Sequence, residues 1–202
     1  MPEARRPLKS RDTRWARALA GWLVRWRVSP NAISIWGMVF ATIGGGALLA
    51  YGRTGCDWPL LLIVGVAGAQ LRLLCNLLDG MVAVEGGLKG KAGDLFNEAP
   101  DRYADIVLLV GAGYAAGVSW LGWVAATFAV LTAYIRALGA SLGQGQDFCG
   151  PMAKPHRMFF LTLGCVAAVL RLEILGWALW IVSIGAGLTA CRRVGRLYRK
   201  LP

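Results

Sequence analysis

Histidine occurs once in this chain, at position 156, and the five cysteines, Cys56, Cys75, Cys149, Cys165 and Cys191, are scattered with no C-x-x-C pair. A histidine-based zinc site and a Ser-His-Asp triad therefore have almost nothing to build on, and the cysteines read as packing thiols. There is no P-loop and no Gly-x-Ser-x-Gly elbow. No internal repeat is visible, which argues against a transporter assembled from two related halves. The first 30 residues are basic and lack an apolar core ahead of a small-residue cleavage site, so no cleavable signal peptide is expected. Charge is scarce and one-sided: 16% of residues are charged, with 22 Lys and Arg against 11 Asp and Glu.

What is abundant is apolar surface. Of 202 residues 56% are hydrophobic and the mean hydropathy is +0.53, above the roughly 45–50% apolar content of a soluble domain. A spanning helix needs roughly 20 apolar residues. Six stretches qualify: Ala32 to Tyr51, Trp58 to Leu78, Tyr103 to Val118, Leu121 to Leu142, Arg157 to Leu170 and Ile174 to Ala190. The run from Tyr103 to Tyr134 exceeds one crossing, and Gly117-Val118-Ser119 supplies the turn that splits it. The expected fold is an all-α integral membrane protein with six transmembrane helices.

The cations set the orientation, because Lys and Arg concentrate in cytoplasmic segments. Arg5, Arg6, Lys9, Arg11, Arg14, Arg17, Arg25 and Arg27 precede the first span, and Arg192, Arg193, Arg196, Arg199 and Lys200 follow or end the last. Both termini are thus expected in the cytoplasm, together with the loops 76–102 and 143–157. The opposite loops carry Arg53 and Arg171, with Asp57 and Glu173 beside them. These cations flank spans instead of forming an aromatic-interleaved soluble surface, so no nucleic acid partner is expected despite the net charge of +11. Trp15, Ala18, Leu19, Trp22, Leu23 and Trp26 recur at helical spacing, predicting an N-terminal amphipathic helix that lies in the headgroup layer or packs its Trp face on the bundle. The organisation is a basic juxtamembrane segment over 1–29, a six-helix domain over 30–192 and a basic, solvated tail over 193–202.

The segment from Asn76 to Asp101 places acids, amides and glycines between two apolar stretches, where polar groups are costly without a function. If the second span continues, Asn76 and Asp79 lie one helical turn apart and face the same way. If a helix begins near Gly93, then Asp94, Asn97, Asp101 and Asp105 form one stripe. Two oxygen-rich faces would meet at the membrane surface, and their carboxylates and amide oxygens suit a hard cation such as Mg²⁺ or Mn²⁺ together with a substrate phosphate. Gly80, Ala83, Gly86, Gly87, Gly90 and Gly93 leave room for a nucleotide pyrophosphate to approach.

These residues resemble the signature of the CDP-alcohol phosphatidyltransferase family, D-x2-D-G-x2-A-R-x8-G-x3-D-x3-D. Asp79, Gly80, Ala83, Gly93 and Asp101 match without a gap, while Asn76, Val84 and Asn97 stand where the family has Asp, Arg and Asp. Ser29-Pro30-Asn31-Ala32-Ile33-Ser34 is similar to the family's Pro-Asn-x-Ile-Thr/Ser start of the first span, so the resemblance covers nearly the whole chain. It implies transfer of a substituted phosphate, typically phosphatidyl from CDP-diacylglycerol, to an alcohol with release of CMP. It implies Asp101 as general base, Asn76, Asp79, Asn97 and Asp101 as metal ligands, and Asp79, Gly80, Ala83 and Gly93 on the nucleotide. It also implies a homodimer and an enzyme of phospholipid synthesis, while the short chain with basic cytoplasmic ends fits a bacterial inner membrane with the site facing the cytoplasm. The two Asn replacements remove charge that offsets two metal ions in the family; Asp94, Asp105, Glu98 and Glu85 are the acids that could restore it. The alternative is a catalytically lapsed member that persists as a lipid-binding or assembly protein.

A second constellation, Gly150-Pro151-Met152-Ala153-Lys154-Pro155-His156-Arg157, leads into the fifth span. In the family that the chain resembles, basic residues near this position contact substrate phosphate, which implies Lys154, His156 and Arg157, with Arg136, at the acceptor or a substrate phosphate, although positive-inside anchoring asks for the same residue types. Arg72 falls inside a span and demands a partner or a wet cavity. Gly44-Gly45-Gly46 reads as a close helix contact, and the tryptophans at 58, 120, 123, 177 and 180 as interfacial anchors.

Overall fold

The computed structural model describes residues 13–54, 58–87 and 93–201, without the side chains of Asp94 and Asn97. Arg5, Arg6, Lys9, Arg11, Cys56, Asp57 and Gly90 lie outside the described residues. The described residues form seven helices: α1 (Arg14–Arg25), α2 (Pro30–Thr54), α3 (Pro59–Glu85), α4 (Gly93–Ala115), α5 (Ser119–Ser141), α6 (Lys154–Ala168) and α7 (Glu173–Tyr198). Proline opens α2 and α3 and is second in α6, positions where its missing N–H costs nothing and its fixed φ favours the helix. The α2 start is also capped, with Ser29 Oγ accepting the Ala32 N–H at 3.2 Å.

The helices pack as a closed ring, α2 on α3, α3 on α6, α6 on α7, α7 on α5, α5 on α4 and α4 back on α2, with α4 also touching α3, α6 and α7. Residues on α4 are therefore in reach of most of the bundle. The expected split of the third and fourth spans occurs at Gly117, whose φ of +71° closes the end of α4 while Val118 N–H donates to Gly113 O at 2.9 Å. The expected close contact at the glycine triplet is present as well. A Cβ on Gly68 would stand 2.6 Å from Gly44 Cα, so α2 and α3 meet backbone to backbone.

Four helices, α2, α3, α5 and α7, are long and apolar enough to cross a membrane. The α4 helix has 23 residues but carries acids and bases from Asp94 to Asp105, and α6 has 15. This makes an integral membrane bundle, built around a polar end. Helix α1 packs on α3 through Ala16 and Ala20, both wholly buried, and turns Trp15, Trp22 and Trp26 outward. The Trp rings are thus not what packs α1 on the bundle; Ala16 and Ala20, with Leu19, Leu23 and Val24 partly buried beside them, supply that contact. Trp58, Trp120, Trp123, Trp177 and Trp180 are also exposed.

Candidate functional site

The α3 helix carries Arg72, Asn76, Asp79 and Gly80 past the apolar part of the bundle. Successive offsets of four and three keep the first three on one face. Asp79 is buried, and its Oδ2 accepts a 2.7 Å hydrogen bond from Ser34 Oγ, at the start of α2. Asn76 Oδ1 accepts from Lys154 Nζ at 2.7 Å. Gly80 and Ala83 are half-buried on the same stretch, and Val84 is exposed.

On α4 the acid at 101 follows Pro100 inside the helix. Asp101 Oδ1 is in an ion pair with Arg72 and lies 2.5 Å from Lys154 Nζ, while Oδ2 is 3.6 Å from Arg102 Nη2. The partner that Arg72 needs within a span is therefore Asp101. One turn further, Asp105 pairs with Arg157 of α6 at 2.6 Å in an enclosed contact. The structure thus brings Asn76, Asp79, Asp101, Lys154 and Arg157 to one buried cluster, joined by Arg72 and Ser34. The buried Nε atoms of Arg72, Arg102 and Arg157 have no hydrogen-bond acceptor. Buried donors of this kind are costly unless something accepts from them, and an anion is their chemical complement.

The other expected residues are placed differently. His156 is exposed on the first turn of α6. Arg136 of α5 donates to Glu98 Oε1 and Oε2 at 2.5 and 2.6 Å and stacks over Phe148, 5.4 Å from the ring centroid. Gly93 opens α4 in exposed surroundings, where a Cβ would meet nothing within 4 Å. The Asn97 and Asp94 side chains lie outside the description. Of the acids that could restore charge, Asp105 is held by Arg157, Glu98 by Arg136 and Arg102, and Glu85 is exposed at the end of α3.

Two residues escaped the sequence reading. Ser34 belongs to the segment that begins the first span, but its contact with Asp79 bridges 45 positions. Arg193, counted with the solvated basic tail, is instead buried on α7 and donates to Thr132 O at 2.6 Å and Cys149 O at 3.0 Å. It pins the loop 143–153, in which Asp147 accepts from the Cys149 N–H at 2.9 Å and pairs with Arg196 at 3.1 Å. Partial burial would raise the Asp147 carboxyl, but hydrogen bonds from Cys149 and the charges of Arg196 and Lys200 outweigh it and hold the group below its ordinary value.

No family model matches the chain. It is 27% identical over 202 residues to a phosphatidylinositol phosphate synthase of Streptomyces avermitilis, covering 93% of this chain and 80% of that one. It is 25% identical over 190 residues to the synthase of the same name from Mycolicibacterium smegmatis, with 89% and 82% covered. To the inner membrane protein YnbA of Escherichia coli K12 it is 23% identical over 180 residues, with 86% and 87% covered. Among solved structures, the phosphatidylinositol phosphate synthase of Mycobacterium tuberculosis superposes with a TM-score of 0.77 in its complex with manganese and citrate, at 18% identity over 91% of this chain and 88% of that one. With CDP-DAG bound it superposes at 0.76, with 20% identity over 92% and 94%. The chain thus shares the fold of the solved synthase and is similar over almost its full length to relatives named phosphatidylinositol phosphate synthase.

Proposed function

We propose that this protein transfers phosphatidyl from CDP-diacylglycerol to an alcohol and releases CMP. The observation that carries the reading is that Asp79 and Asp101, from two different helices, are both buried and share the same two cations, Arg72 and Lys154, which pair with Asp101 and whose charges reach Asp79. The relatives that are phosphatidylinositol phosphate synthases, and the solved synthase with CDP-DAG, support the donor.

The side chains fit a divalent ion by donor type. Asp79 and Asp101 offer carboxylate oxygens and Asn76 an amide oxygen, all hard donors suited to Mg²⁺ or Mn²⁺. Among the described residues no three His, Cys, Asp or Glu side chains converge as a metal-binding group, so Asp79 and Asp101 would hold the ion with Asn76 beside them. Such an ion, as manganese in the solved synthase suggests, would neutralise charge on the leaving CMP. The chain's own residues do the rest. Ser34 fixes the Asp79 carboxylate. Arg72 and Lys154 engage Asp101 Oδ1, and Oδ2, beside Arg102, takes the proton of the acceptor hydroxyl. The hydroxyl oxygen bonds to the phosphatidyl phosphorus as the bond to CMP breaks, and CMP leaves with that electron pair. The unaccepted guanidinium Nε donors favour an acceptor that itself bears a phosphate.

The same reading assigns six crossings, α2 to α7, with both termini and the site on the cytoplasmic side of a bacterial inner membrane, and a homodimer as the resemblance implies. The test is CMP release by purified protein in lipid with CDP-diacylglycerol, Mg²⁺ or Mn²⁺ and a panel of alcohols and alcohol phosphates. Metal-dependent CMP should appear with one acceptor and fall at least about 10²-fold in Asp101→Asn. Folded protein that yields no CMP above that variant with any acceptor would sink the enzyme in favour of the non-catalytic alternative.

A further inference from the structure

We propose that this chain holds a single divalent ion and that the Lys154 ammonium, with the Arg72 guanidinium, supplies as fixed protein charge what a second ion would bring. The inference rests on the function just proposed and concerns how its site is charged.

Lys154 Nζ lies 2.7 Å from Asn76 Oδ1 and 2.5 Å from Asp101 Oδ1. It therefore bridges the first and last positions of the acidic motif, on two different helices, as a compact cation with donors directed at oxygen. The residue type at 76 agrees. An amide oxygen accepts from an ammonium as readily as a carboxylate does, but brings no charge to balance a further dication. Among the described acids that could have replaced the lost charge, Asp105 is held by Arg157, Glu98 by Arg136 and Arg102, and Glu85 is exposed at the end of α3.

Charge balance points the same way. Arg72 and Lys154 both pair with Asp101 before any ligand arrives, and their charges also act on Asp79, so two cations stand against these two acids. The donor's pyrophosphate carries one negative charge on each phosphate, which one divalent ion neutralises. A second ion would leave uncompensated positive charge in an enclosed site, where unpaired charge is costly.

The experiment is a Mn²⁺ titration of the purified, lipid-reconstituted protein, with and without CDP-diacylglycerol, following the electron paramagnetic resonance signal of free Mn²⁺. Wild type should bind one ion per chain, and Lys154→Arg should as well. Asn76→Asp/Lys154→Met, which restores the acid and deletes the cation, should bind two; Asn76→Asp/Lys154→Gln provides the same test with a polar replacement. Each variant is scored only if its circular dichroism and its elution from a sizing column match wild type. Two ions in wild type overturn the proposal with no variant needed, and so does a single ion in both folded double variants. If wild type binds no Mn²⁺ while CMP is still released, the proposal and the metal site under it both fall but the transferase stands. If CMP release is also absent, the transferase falls too.

Discussion

Two Arg–Asp pairs of the same chemistry sit at two depths in this molecule. Arg157 and Asp105, 2.6 Å apart, have side chains 3% and 1% exposed, whereas Arg196 and Asp147, 3.1 Å apart, are 56% and 23% exposed. Distance barely separates them; surroundings do. The outer pair is solvated and worth about 0–1 kcal/mol. The inner pair has given up its water, so losing one partner strands the other charge at a cost of about 3–5 kcal/mol, even though the intact pair adds little net stability over an apolar replacement. What the inner pair does contribute is position: it seats α6 on α4 and so sets where Lys154 meets Asp101.

The sharpest way to break this contrast is Arg157→Ala, which should cost about 3–5 kcal/mol in reversible unfolding from mixed micelles. Arg157→Met/Asp105→Leu should recover most of that stability while leaving CMP release impaired, since position is lost with the pair. An unaltered midpoint for Arg157→Ala would mean that the inner pair is solvated after all. Next in size is Ser34→Ala. It deletes a hydrogen bond to the Asp79 carboxylate, a class worth about 1.5–3 kcal/mol, and should raise the Mn²⁺ concentration for half-maximal CMP release about tenfold or more. The smallest effect belongs to the outer pair. Arg196→Ala should cost less than about 1 kcal/mol at pH 7. The Asp147 carboxyl is depressed in the folded protein, so its contribution is fully present above the unfolded value, about 3.9, and is lost as pH falls through the folded one. The difference between wild type and Asp147→Asn should hence stay constant from pH 7 to 5 and shrink only in stronger acid, read as unfolding midpoints across a pH series.

How far the sequence carried the fold depended on distance along the chain. Apolar runs and the Gly117 turn are local signals, and they located the long helices, including the hairpin between α4 and α5. The structure meets both conditions on which the polar stripes depended, α3 continuing past Asp79 and α4 covering Gly93 onward, and helical phase then gives Asn76 and Asp79 their shared face. Partnerships do not follow, because phase says which way a residue points and not what stands opposite. Lys154 meets Asn76 across 78 positions and Arg136 meets Glu98 across 38, and neither pair has a spacing that could betray it. Arg193 was misread for a related reason. In a basic run every arginine looks alike, and only the carbonyls of Thr132 and Cys149 single it out.

The ring closes with α6 against α3, and that order has a consequence for synthesis. Chains emerge and begin to fold from the N-terminal end, so Asp105 is made 52 residues before the arginine that pairs with it. Until α6 is delivered, α4 holds its carboxylates at the membrane without Lys154 or Arg157. Arrival of α6 then gives Asp105 its partner and adds Lys154 to the Arg72–Asp101 pair, so a chain truncated before residue 154 would carry an unpaired Asp105 that marks it as unfinished.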